Sequence, residues 1–357
     1  MSKSSNSKNL PKLEYEDINS GYGTLNKDIS EKFDNRKGIV FEKNDILFGK
    51  LRPYLKNWFF SSFKGIALGD FWVLRSKKGT PFFIYYLIQS SSFQKVANDT
   101  SGTKMPRSDW KRVSKAVFFI PNINEQVKIG KVLFLVDNFI TLQQQQLDLY
   151  TKLKKGLLQK LFPKDGEKVP EIRFADFHDD WEYRKLKDIA EFINGKAFKQ
   201  SELLSNGRYP VLRVGNFNTN TKWYFSNLEL PKKNYVDDGD LLYTWATAFG
   251  PHIWHGPKVI FHYHIWKIVT SDSFNKNFAL QVLEYDKKQL TNDLNGSTMV
   301  HITKKNMEEK IINIPSLKEQ KKVSKILSLV DNQINLQHSK LRSIETLKKY
   351  LLQKLFI

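Results

Sequence analysis

The chain has 357 residues, of which 40% are hydrophobic and 13% aromatic, which is enough for two folded domains and excludes an intrinsically disordered protein. It has no cysteine, no apolar run near the roughly 20 residues of a membrane span and no apolar core in its first residues, so we expect a cytoplasmic protein without disulfides, membrane helix or signal peptide. A net charge of +20 makes a polyanion the expected partner, and nucleic acid is the leading candidate.

Residues 1–120 are predicted to form a first domain of mixed, mostly β structure. The stretch from Lys43 to Arg75 has short β-branched and aromatic runs separated by glycine and charged turns, and a helix is predicted over 82–97. Basic and aromatic residues are interleaved in KLRPYLKNWFF (from Lys50) and GTKMPRSDWKR (from Gly102). Because Lys and Arg bind phosphates and Arg can bind guanine bidentately, we predict DNA contacts here, with a solvated basic surface as the alternative. The candidates are Lys50, Arg52, Lys56, Lys104, Arg107 and Lys111.

Residues 121–163 are predicted to form one long helix, since only Gly130 and Gly156 interrupt the segment after Pro121. Its apolar residues alternate at spacings of three and four, a heptad pattern typical of a coiled coil. Gln143 and Lys154 break this seam, and polar seam residues fix register and partner. A helix of about 38 residues spans roughly 57 Å and would act as a rigid spacer. The seam residues are Ile129, Leu133, Val136, Ile140, Gln143, Leu147, Leu157 and Leu161.

Residues 164–180 form a polar linker, and residues 181–314 are predicted to form a second domain of the same mostly β type. Its candidate DNA contacts lie in loops that match those of the first domain in position but not in sequence. A preserved scaffold with divergent loops is what two recognition specificities require. The candidates are Arg213, Asn216, Trp254, Thr298, His301 and Lys304.

Residues 315–357 repeat the long helix. GLLQKLF (from Gly156) occurs again as YLLQKLF (from Tyr350) about 194 residues later. At this offset, about 24 of the roughly 43 positions from Ile120 to Phe162 are identical in the two copies. We expect the two helices to pair antiparallel within the chain, with their LLQKLF ends buried; the alternative is that each packs only on its own domain. The second seam contains Val323, Leu327, Val330, Ile334, Gln337, Leu341, Leu351 and Leu355.

Motifs of common catalytic sites are absent from the sequence. It has no phosphate-binding glycine loop, no His-Glu-x-x-His, no Gly-x-Ser-x-Gly and no Pro-Pro pair of the kind found in amino-methyltransferases. The residue types of a metal-nuclease site occur in PKDGEK (from Pro163), but all of them lie within one short stretch of the linker. His252, His255, His262 and His264 could suggest a metal, but no cysteine or carboxylate completes the set, and we favour histidines on a strand surface or in a groove.

Several segments together carry a family resemblance. They are IPNINEQVKIGKVLFLVDNFI and IPSLKEQKKVSKILSLVDNQI, the two LLQKLF ends, PEIRFADFHDDWEYRKLKDI (from Pro170), and DILFGKLRPYLKNW with GDFWVLR and SGTKMPRSDWK. Through them the chain resembles the specificity subunit of type I restriction–modification systems. The resemblance implies an α+β fold: two mixed, mostly β target-recognition domains separated by two long helices that form an antiparallel intramolecular coiled coil.

The resemblance also implies partners and a role. The chain would be a non-catalytic subunit that binds double-stranded DNA, two methyltransferase subunits and, through them, motor–nuclease restriction subunits. S-adenosylmethionine, ATP and Mg would then belong to those partners.

The first domain departs from the family pattern at its start. The second domain opens with a Trp-x-x-x-x-Leu segment, Trp181 to Leu186, whereas the first opens with LPKLEYEDINSGYG. We therefore expect either a misassigned start codon or a first domain that lacks its leading strand and helix.

Two other functions remain open from the sequence. One is a stand-alone DNA-binding regulator whose coiled coil dimerises it, and the other is a structural coiled-coil adaptor without a DNA role.

Overall fold

The computed structural model describes residues 4–32, 34–100, 104–217, 220–246, 249–292 and 303–356, with the backbone alone for 288–292. The chain divides into two compact units: unit 1 comprises residues 1–147 and 337–357, and unit 2 comprises residues 148–336. Each unit therefore holds one mostly β domain together with parts of both long helices. No helix in the described ranges is long and apolar enough to cross a membrane.

The first domain, in unit 1, is built from short strands and short helices. Its elements are β1 (Ser4–Ser5), β2 (Lys12–Leu13), β3 (Ile18–Asn19), β4 (Thr24–Leu25), β5 (Gly38–Phe41), β6 (Ile46–Gly49), β7 (Trp58–Phe60), β8 (Gly65–Ala67), β9 (Phe71–Leu74), α1 (Pro81–Leu87), α2 (Ser91–Ala97) and α3 (Trp110–Val113). Antiparallel pairing joins β7, β6 and β9 in one sheet. The other main sheet has the order β1-β5-β8-β2, in which β2 and β8 are parallel.

The single helix predicted over 82–97 is wrong, because the segment forms two helices. The Ser90 hydroxyl accepts a hydrogen bond from the Phe93 N–H and so starts α2 as a separate helix after α1 ends. A serine at this position caps a new helix start more readily than it continues a helix.

The second domain, in unit 2, repeats the plan of the first with additional strands. Its elements are β10 (Glu182–Lys185), α4 (Leu186–Ile189), β11 (Ala190–Asn194), β12 (Tyr209–Leu212), β13 (Tyr224–Ser226), β14 (Tyr235–Val236), β15 (Leu241–Thr244), β16 (Gly250–Ile253), β17 (Val259–Phe261), β18 (Ile265–Thr270), α5 (Lys276–Asn292), α6 (Lys304–Glu308) and β19 (Ile311–Ile314). Its sheets have the orders β11-β18-β15-β16 and β13-β12-β17-β14, and a further antiparallel pair joins β10 to β19.

An aspartate before β6 and another before β15 form the same charged turn in both domains. Asp45 accepts a hydrogen bond from the Glu42 N–H at 2.8 Å, and Asp240 accepts the equivalent bond from the Asp237 N–H at 2.8 Å. An Asp that closes its own turn in this way fixes where the following buried strand begins.

The two long helices span Ile123–Leu161 (helix A) and Leu317–Leu355 (helix B), each of 39 residues. Equivalent glutamines fix their starts. Gln126 donates to the Pro121 carbonyl and accepts from the Thr80 N–H. Gln320 likewise donates to the Pro315 carbonyl and accepts from the Asn275 N–H. Each glutamine thereby satisfies backbone groups at a helix start and attaches the helix to its own domain.

The helices pair antiparallel, as the sequence predicts. In unit 1, Asp137 in the first half of helix A pairs with Lys348 near the end of helix B, with 2.7 Å between carboxylate and ammonium. In unit 2 the equivalent residues, Asp331 and Lys154, also pair. The lysines that break the apolar seam are therefore the cations of two repeated, largely buried ion pairs.

The observed seam follows the predicted one and shifts near the end of helix A. Leu158 is 1% exposed and fills the place expected for Leu157, which is half-buried. The other half-buried seam residues are Val136, Ile334, Leu351 and Leu355. The buried seam residues are Ile129, Leu133, Ile140, Gln143, Leu147, Leu161, Val323, Leu327, Val330, Gln337 and Leu341.

The two domains differ most at their leading segments. In unit 2, β10 pairs along β19, and β11 extends the sheet beside β18. The described part of the first domain has no counterpart of β10, α4 and β11. Residues 117–120, which the repeat matches to β19, pair with no strand in the described ranges.

Candidate nucleic-acid interface

The two basic stretches of the first domain, far apart in sequence, lie side by side in the structure. The Arg52 N–H donates to the Pro106 carbonyl at 2.7 Å, and the Ser108 N–H donates to the Lys50 carbonyl at 2.8 Å. Leu51 and Arg107 form an isolated antiparallel bridge between these bonds. The loop after β6 and the loop before α3, with the first two residues of α3, therefore form one surface, which we call the basic loop pair (residues 50–56 and 104–111).

Asp70 positions two of the cations in the basic loop pair. Its carboxylate accepts a hydrogen bond from Arg107 at 3.0 Å and lies 3.6 Å from the Lys50 ammonium. The Tyr15 hydroxyl donates to the Asp70 carbonyl and accepts from the Leu51 N–H. Burial raises the pKa of Tyr15 to about 12, although the bond from Leu51 acts in the opposite direction. Asp70 and Tyr15 were not selected from the sequence, because both act through contacts distant along the chain.

The remaining cations of the basic loop pair are exposed to solvent, and their side chains have no partner among the described residues. They are Arg52, Lys56, Lys104 and Lys111. Arg52 has φ of 48° and Lys56 has φ of 58°, left-handed values that non-glycine residues adopt at a cost on the order of 1 kcal/mol. Tyr54 and Trp110, exposed by 56% and 52%, lie in or beside the same two loops. Free cations beside exposed aromatic rings suit both phosphates and bases.

In the second domain the predicted residues separate into different roles. The Arg213 guanidinium lies 5.1 Å from the centre of the Tyr224 ring, and the Lys222 ammonium lies 5.6 Å from the same centre. Asn216 uses its side chain inside the loop, accepting from the Arg213 N–H and donating to the carbonyls of Asn220 and Lys222. It therefore shapes the loop that carries Arg213.

Trp254 requires a correction. Its side chain is 8% exposed within a core cluster of the second domain, and its indole N–H donates to the Pro257 carbonyl at 2.9 Å. A buried ring whose one donor is already used packs the domain and offers no direct DNA contact. The Lys304 ammonium, on α6, lies 3.4 Å from the Glu308 carboxylate. Thr298 and His301 lie outside the described residues.

An aromatic and histidine surface near Arg213 was not selected from the sequence. Trp245, Tyr263 and His264 are in mutual ring contact, and the Trp245 indole N–H donates to the Tyr263 carbonyl at 2.8 Å. Tyr263 and His264 form the turn between β17 and β18, so His264 does not lie on a strand surface, one of the two placements favoured from the sequence. Trp245 follows β15 as Lys50 follows β6, so equivalent loops carry different chemistry in the two domains.

Three of the four histidines in question have a lowered pKa, which favours their neutral form. Burial first, and the positive charge of Lys287 second, lower the pKa of His252 to about 4. Burial, His264 and Arg213 lower the pKa of His262 to about 4, and burial with Arg213 also lowers the pKa of His264. Within the described ranges, no group of three or more His, Cys, Asp or Glu side chains could hold a metal ion.

A family model described as the type I restriction modification DNA specificity domain matches residues 1–149 and 178–346. The chain belongs to this family. Its function is therefore the recognition of a DNA sequence within a type I restriction–modification system.

Relatives and solved structures agree with the family. The type I restriction enzyme MjaVIII specificity subunit of Methanocaldococcus jannaschii is 27% identical in an alignment 350 positions long that covers 89% of this chain and 80% of that protein. The EcoBI specificity subunit of Escherichia coli is 26% identical over 177 residues, which span 48% of this chain and 37% of that protein. The crystal structure of a type I S subunit from M. genitalium aligns over 99% of this chain and 90% of its own, with 18% identity and a TM-score of 0.63. This last likeness concerns the fold alone.

Proposed function

We propose that this chain recognises a bipartite DNA target, one part through each domain, and contributes no catalytic group. Support comes from the placement of different loops on equivalent scaffolds. The loop after β6 offers free cations with Tyr54, and the loop after β15 offers Trp245 beside His264 and Arg213. Base edges in the major groove present distinct donor and acceptor patterns, so surfaces of different chemistry select different half-sites.

We further propose that two copies of one methyltransferase subunit dock on the helices, one copy for each unit. The outward faces of the helices expose leucines at equivalent positions. Unit 1 exposes Leu135 and Leu142 of helix A, by 48% each, with Leu347 of helix B, by 48%. Unit 2 exposes their equivalents, which are Leu329, Leu336 and Leu153, by 57%, 45% and 48%. Exposed apolar side chains that the repeat preserves favour a repeated protein contact.

The restriction subunits would join through the methyltransferase subunits, and S-adenosylmethionine, ATP and Mg would be bound by those partners. A stand-alone regulator that dimerises through its coiled coil is disfavoured, because the seam of each helix is already filled by the other helix of the same chain. A purely structural adaptor does not account for the unpaired cations of the basic loop pair.

Methylome sequencing tests the proposal directly. Cells that express the partner methyltransferase with this chain should methylate one bipartite motif, and the motif should disappear when this gene is deleted. Exchanging the first domain for that of a relative should change one half-site and leave the other unchanged. Methylation that is independent of this chain, or methyl transfer by the purified chain alone, would reject the proposal.

A further inference from the structure

A cavity of about 670 Å³ lies in unit 1 and is lined by both the first domain and the long helices. The first domain contributes the turn between β3 and β4, the loop after β6, β7 and α2. Helix A contributes Ile140, and helix B contributes residues from Glu345 to Gln353. Sites for small ligands have volumes of about 300–1,000 Å³, so this cavity is large enough for a ligand of that class.

The loop that carries Tyr54 is fixed in place at the border of this cavity. Residues 53–55 form a single turn of 3-10 helix between Arg52 and Lys56, which both have left-handed backbone conformations. The Gly21 N–H donates to the Lys56 carbonyl at 2.9 Å and ties this turn to the one between β3 and β4. The Tyr54 ring, although 56% exposed, is therefore presented by an ordered turn. A pre-ordered ring loses little conformational freedom when another ring stacks on it.

A second tyrosine ring borders the same cavity. The Tyr22 hydroxyl donates to the Glu345 carboxylate at 2.6 Å, and this bond connects the turn between β3 and β4 to helix B. The bond to Glu345 raises the pKa of Tyr22 to about 12, so the hydroxyl remains a donor at neutral pH. Its ring is thus held in one direction while 43% of the residue stays exposed. The cavity therefore has two held aromatic rings at its solvent-exposed border.

Two buried residues of the cavity wall carry polar atoms that have no hydrogen-bond partner among the described residues. They are the indole N–H of Trp58 and the amide oxygen of Gln89, in residues that are 3% and 7% exposed. The amide nitrogen of Gln89 is already engaged, since it donates to the Tyr85 carbonyl at 3.2 Å. A buried donor or acceptor without a partner costs free energy, which a ligand with one acceptor and one donor would recover. The Watson–Crick edges of nucleobases present both kinds of group.

Unit 2 has apolar residues at the equivalent positions. The repeat matches Gln89 to Leu283, which is 2% exposed in the core of unit 2. The strand pairing of β7 with β6 and of β16 with β15 matches Trp58 to Pro251. The shared scaffold therefore folds without a polar side chain at either place. The two polar groups are specific to the first domain, and a ligand of that domain would explain them.

The cavity is continuous with the basic loop pair, because Tyr54 and Lys56 belong to both. Lys56 is exposed, and its ammonium has no partner among the residues that the structure describes. A nucleotide whose phosphate binds Lys56 would have its base beside the Tyr54 ring. This continuity favours a base of the bound DNA over a free metabolite as the occupant.

We propose that this cavity holds one nucleotide base that is extruded from the DNA duplex bound by the first domain. Tyr54 and Tyr22 would stack on the base, and Lys56 would bind its phosphate. Trp58 and Gln89 would form hydrogen bonds with its edge. Extrusion breaks base pairing and stacking, and stacking on aromatic side chains offsets that cost. The inference rests on the proposed recognition of DNA and extends it, because one base of the half-site would be read outside the duplex.

Mononucleotides test the cavity without a DNA duplex. Saturation-transfer NMR with the purified full chain gives the affinity of dAMP, dCMP, dGMP and dTMP, and we expect at least one Kd of about 1 mM or tighter. Ser91→Trp, which fills the cavity from α2, should weaken this binding about tenfold or more, and so should Tyr54→Ala, which removes a stacking ring at an exposed position. Lys95→Trp, exposed on α2 and outside the cavity lining, should bind as the original chain does. An absence of saturable binding for all four nucleotides would overturn the proposal.

Duplexes that contain the target motif test whether the base comes from DNA. Each duplex lacks one base, so the nucleotide opposite the gap has no pairing partner and its extrusion breaks no base pair. The assembled complex should bind one such duplex about tenfold or more tightly than the intact duplex, as fluorescence anisotropy measures. Ser91→Trp should remove this gain in affinity, and Lys95→Trp should retain it.

The outcomes separate this inference from the proposed function. A gain in affinity that persists in Ser91→Trp belongs to another pocket of the complex, so the proposal is overturned if no gain at any position depends on Ser91. Methylation of a bipartite motif without a Ser91-dependent gain would reject base extrusion and leave the proposed function intact. Mononucleotide binding without such a gain would make the occupant a free nucleotide, and this would also reject extrusion.

Discussion

Single charges in the basic loop pair have different expected roles because their surroundings differ. Arg107 and Lys50 are held by Asp70, so their positions are fixed before any ligand arrives. Lys104 and Lys111 are exposed and have no ion-pair partner among the described residues. An unpaired lysine suits a phosphate as a point charge, whereas an arginine with its planar fork suits a base edge.

Removing the free lysines should weaken binding to all DNA sequences equally. Lys104→Ala or Lys111→Ala should each reduce the slope of log affinity against log salt by about 0.9, the value for one lost phosphate contact. Fluorescence anisotropy with the assembled complex at several salt concentrations measures this slope. Lys77→Ala, at an exposed position outside the basic loop pair, serves as the control. An equal reduction of the slope in this variant would show that the effect is not specific to the basic loop pair.

Arg52→Ala should instead act on sequence preference. We expect a loss of about 1–3 kcal/mol confined to one base pair of the target. Competition binding against a set of singly substituted DNA duplexes gives this value for each position. A uniform loss over all duplexes would assign Arg52 to a phosphate.

His252 should make the second domain sensitive to acid. Its pKa in the folded protein is lowered to about 4, so between about pH 6.5 and 4 the unfolded chain binds a proton that the folded chain does not. The free energy of unfolding should therefore fall as the pH falls through this window, by up to about 3 kcal/mol for this group. Urea unfolding at a series of pH values should show a shallower fall for His252→Gln than for the exposed control His338→Gln. Parallel curves for the two variants would contradict the assignment.

The role of a residue could be predicted where it depends on residues close by in the sequence. Gln143 and Gln337 lie in the seam as expected, because the heptad pattern already places them there. Trp254 was predicted as a DNA contact and is a core residue, since an aromatic residue in a loop-like stretch gives no sign of which way it faces. Asp70 was not predicted because its partners Lys50 and Arg107 are distant along the chain and no periodic pattern joins them.

At the scale of elements, the helix pair depends on an ion pair in each unit. Asp137 accepts from both Lys348 and the Tyr86 hydroxyl, and burial, then the charge of Asp137, raises the pKa of Tyr86. Lys154 instead meets two carboxylates, Glu284 and Asp331. Although burial acts to lower the pKa of Lys154, these two carboxylates raise it above its usual value, so the lysine stays charged at neutral pH.

Removing one of these cations should destabilise its unit. Lys348→Met leaves the Asp137 carboxylate without its cation, and we expect a loss of roughly 1–3 kcal/mol, less than for a fully buried pair because both side chains retain some exposure. Lys154→Met should have the larger effect, since it leaves two carboxylates unpaired. Thermal unfolding measures both losses, and Lys349→Met, at an exposed position of helix B, is the matched control. An equal loss in Lys349→Met would show that the ion pair is not the cause.

The long helices and their pairing could be predicted from the sequence, because a heptad pattern involves only residues close together in the chain and occurs in both copies of the repeat. The place where Leu158 replaces Leu157 could not, since it depends on how the end of helix A packs against Trp181 and Phe278 in the core of unit 2. For the two domains, the sequence predicts short strands but not which strands pair. The pairing joins segments that are distant along the chain, as in β2 with β8 or β12 with β17.

At the scale of the whole molecule, helices A and B are the only long elements shared by the two units within the described ranges. For the bipartite target proposed above, we therefore expect the length of helices A and B to set the unread gap between its two half-sites. This dependence can be measured without knowing which residues read the bases.

Inserting four residues after Gln143 and four after Gln337 lengthens each helix by about 6 Å, which corresponds to roughly two base pairs. Methylome sequencing should then show a longer gap between unchanged half-sites. The same insertion in the linker turn at Asp165–Gly166 should leave the gap as it was. An unchanged gap in the helix variant, or an altered half-site, would reject the helices as the ruler.

The division of the chain into units also bears on the order in which a ribosome builds them. Unit 2 is one continuous stretch, residues 148–336, but unit 1 needs residues 337–357 to join residues made much earlier. Phe356, 4% exposed, packs on Phe83 with 5.0 Å between ring centres, so the core of the first domain is closed by a late residue. During translation, the domain encoded second can thus finish folding before the domain encoded first, which reverses the usual N-to-C order of multidomain chains.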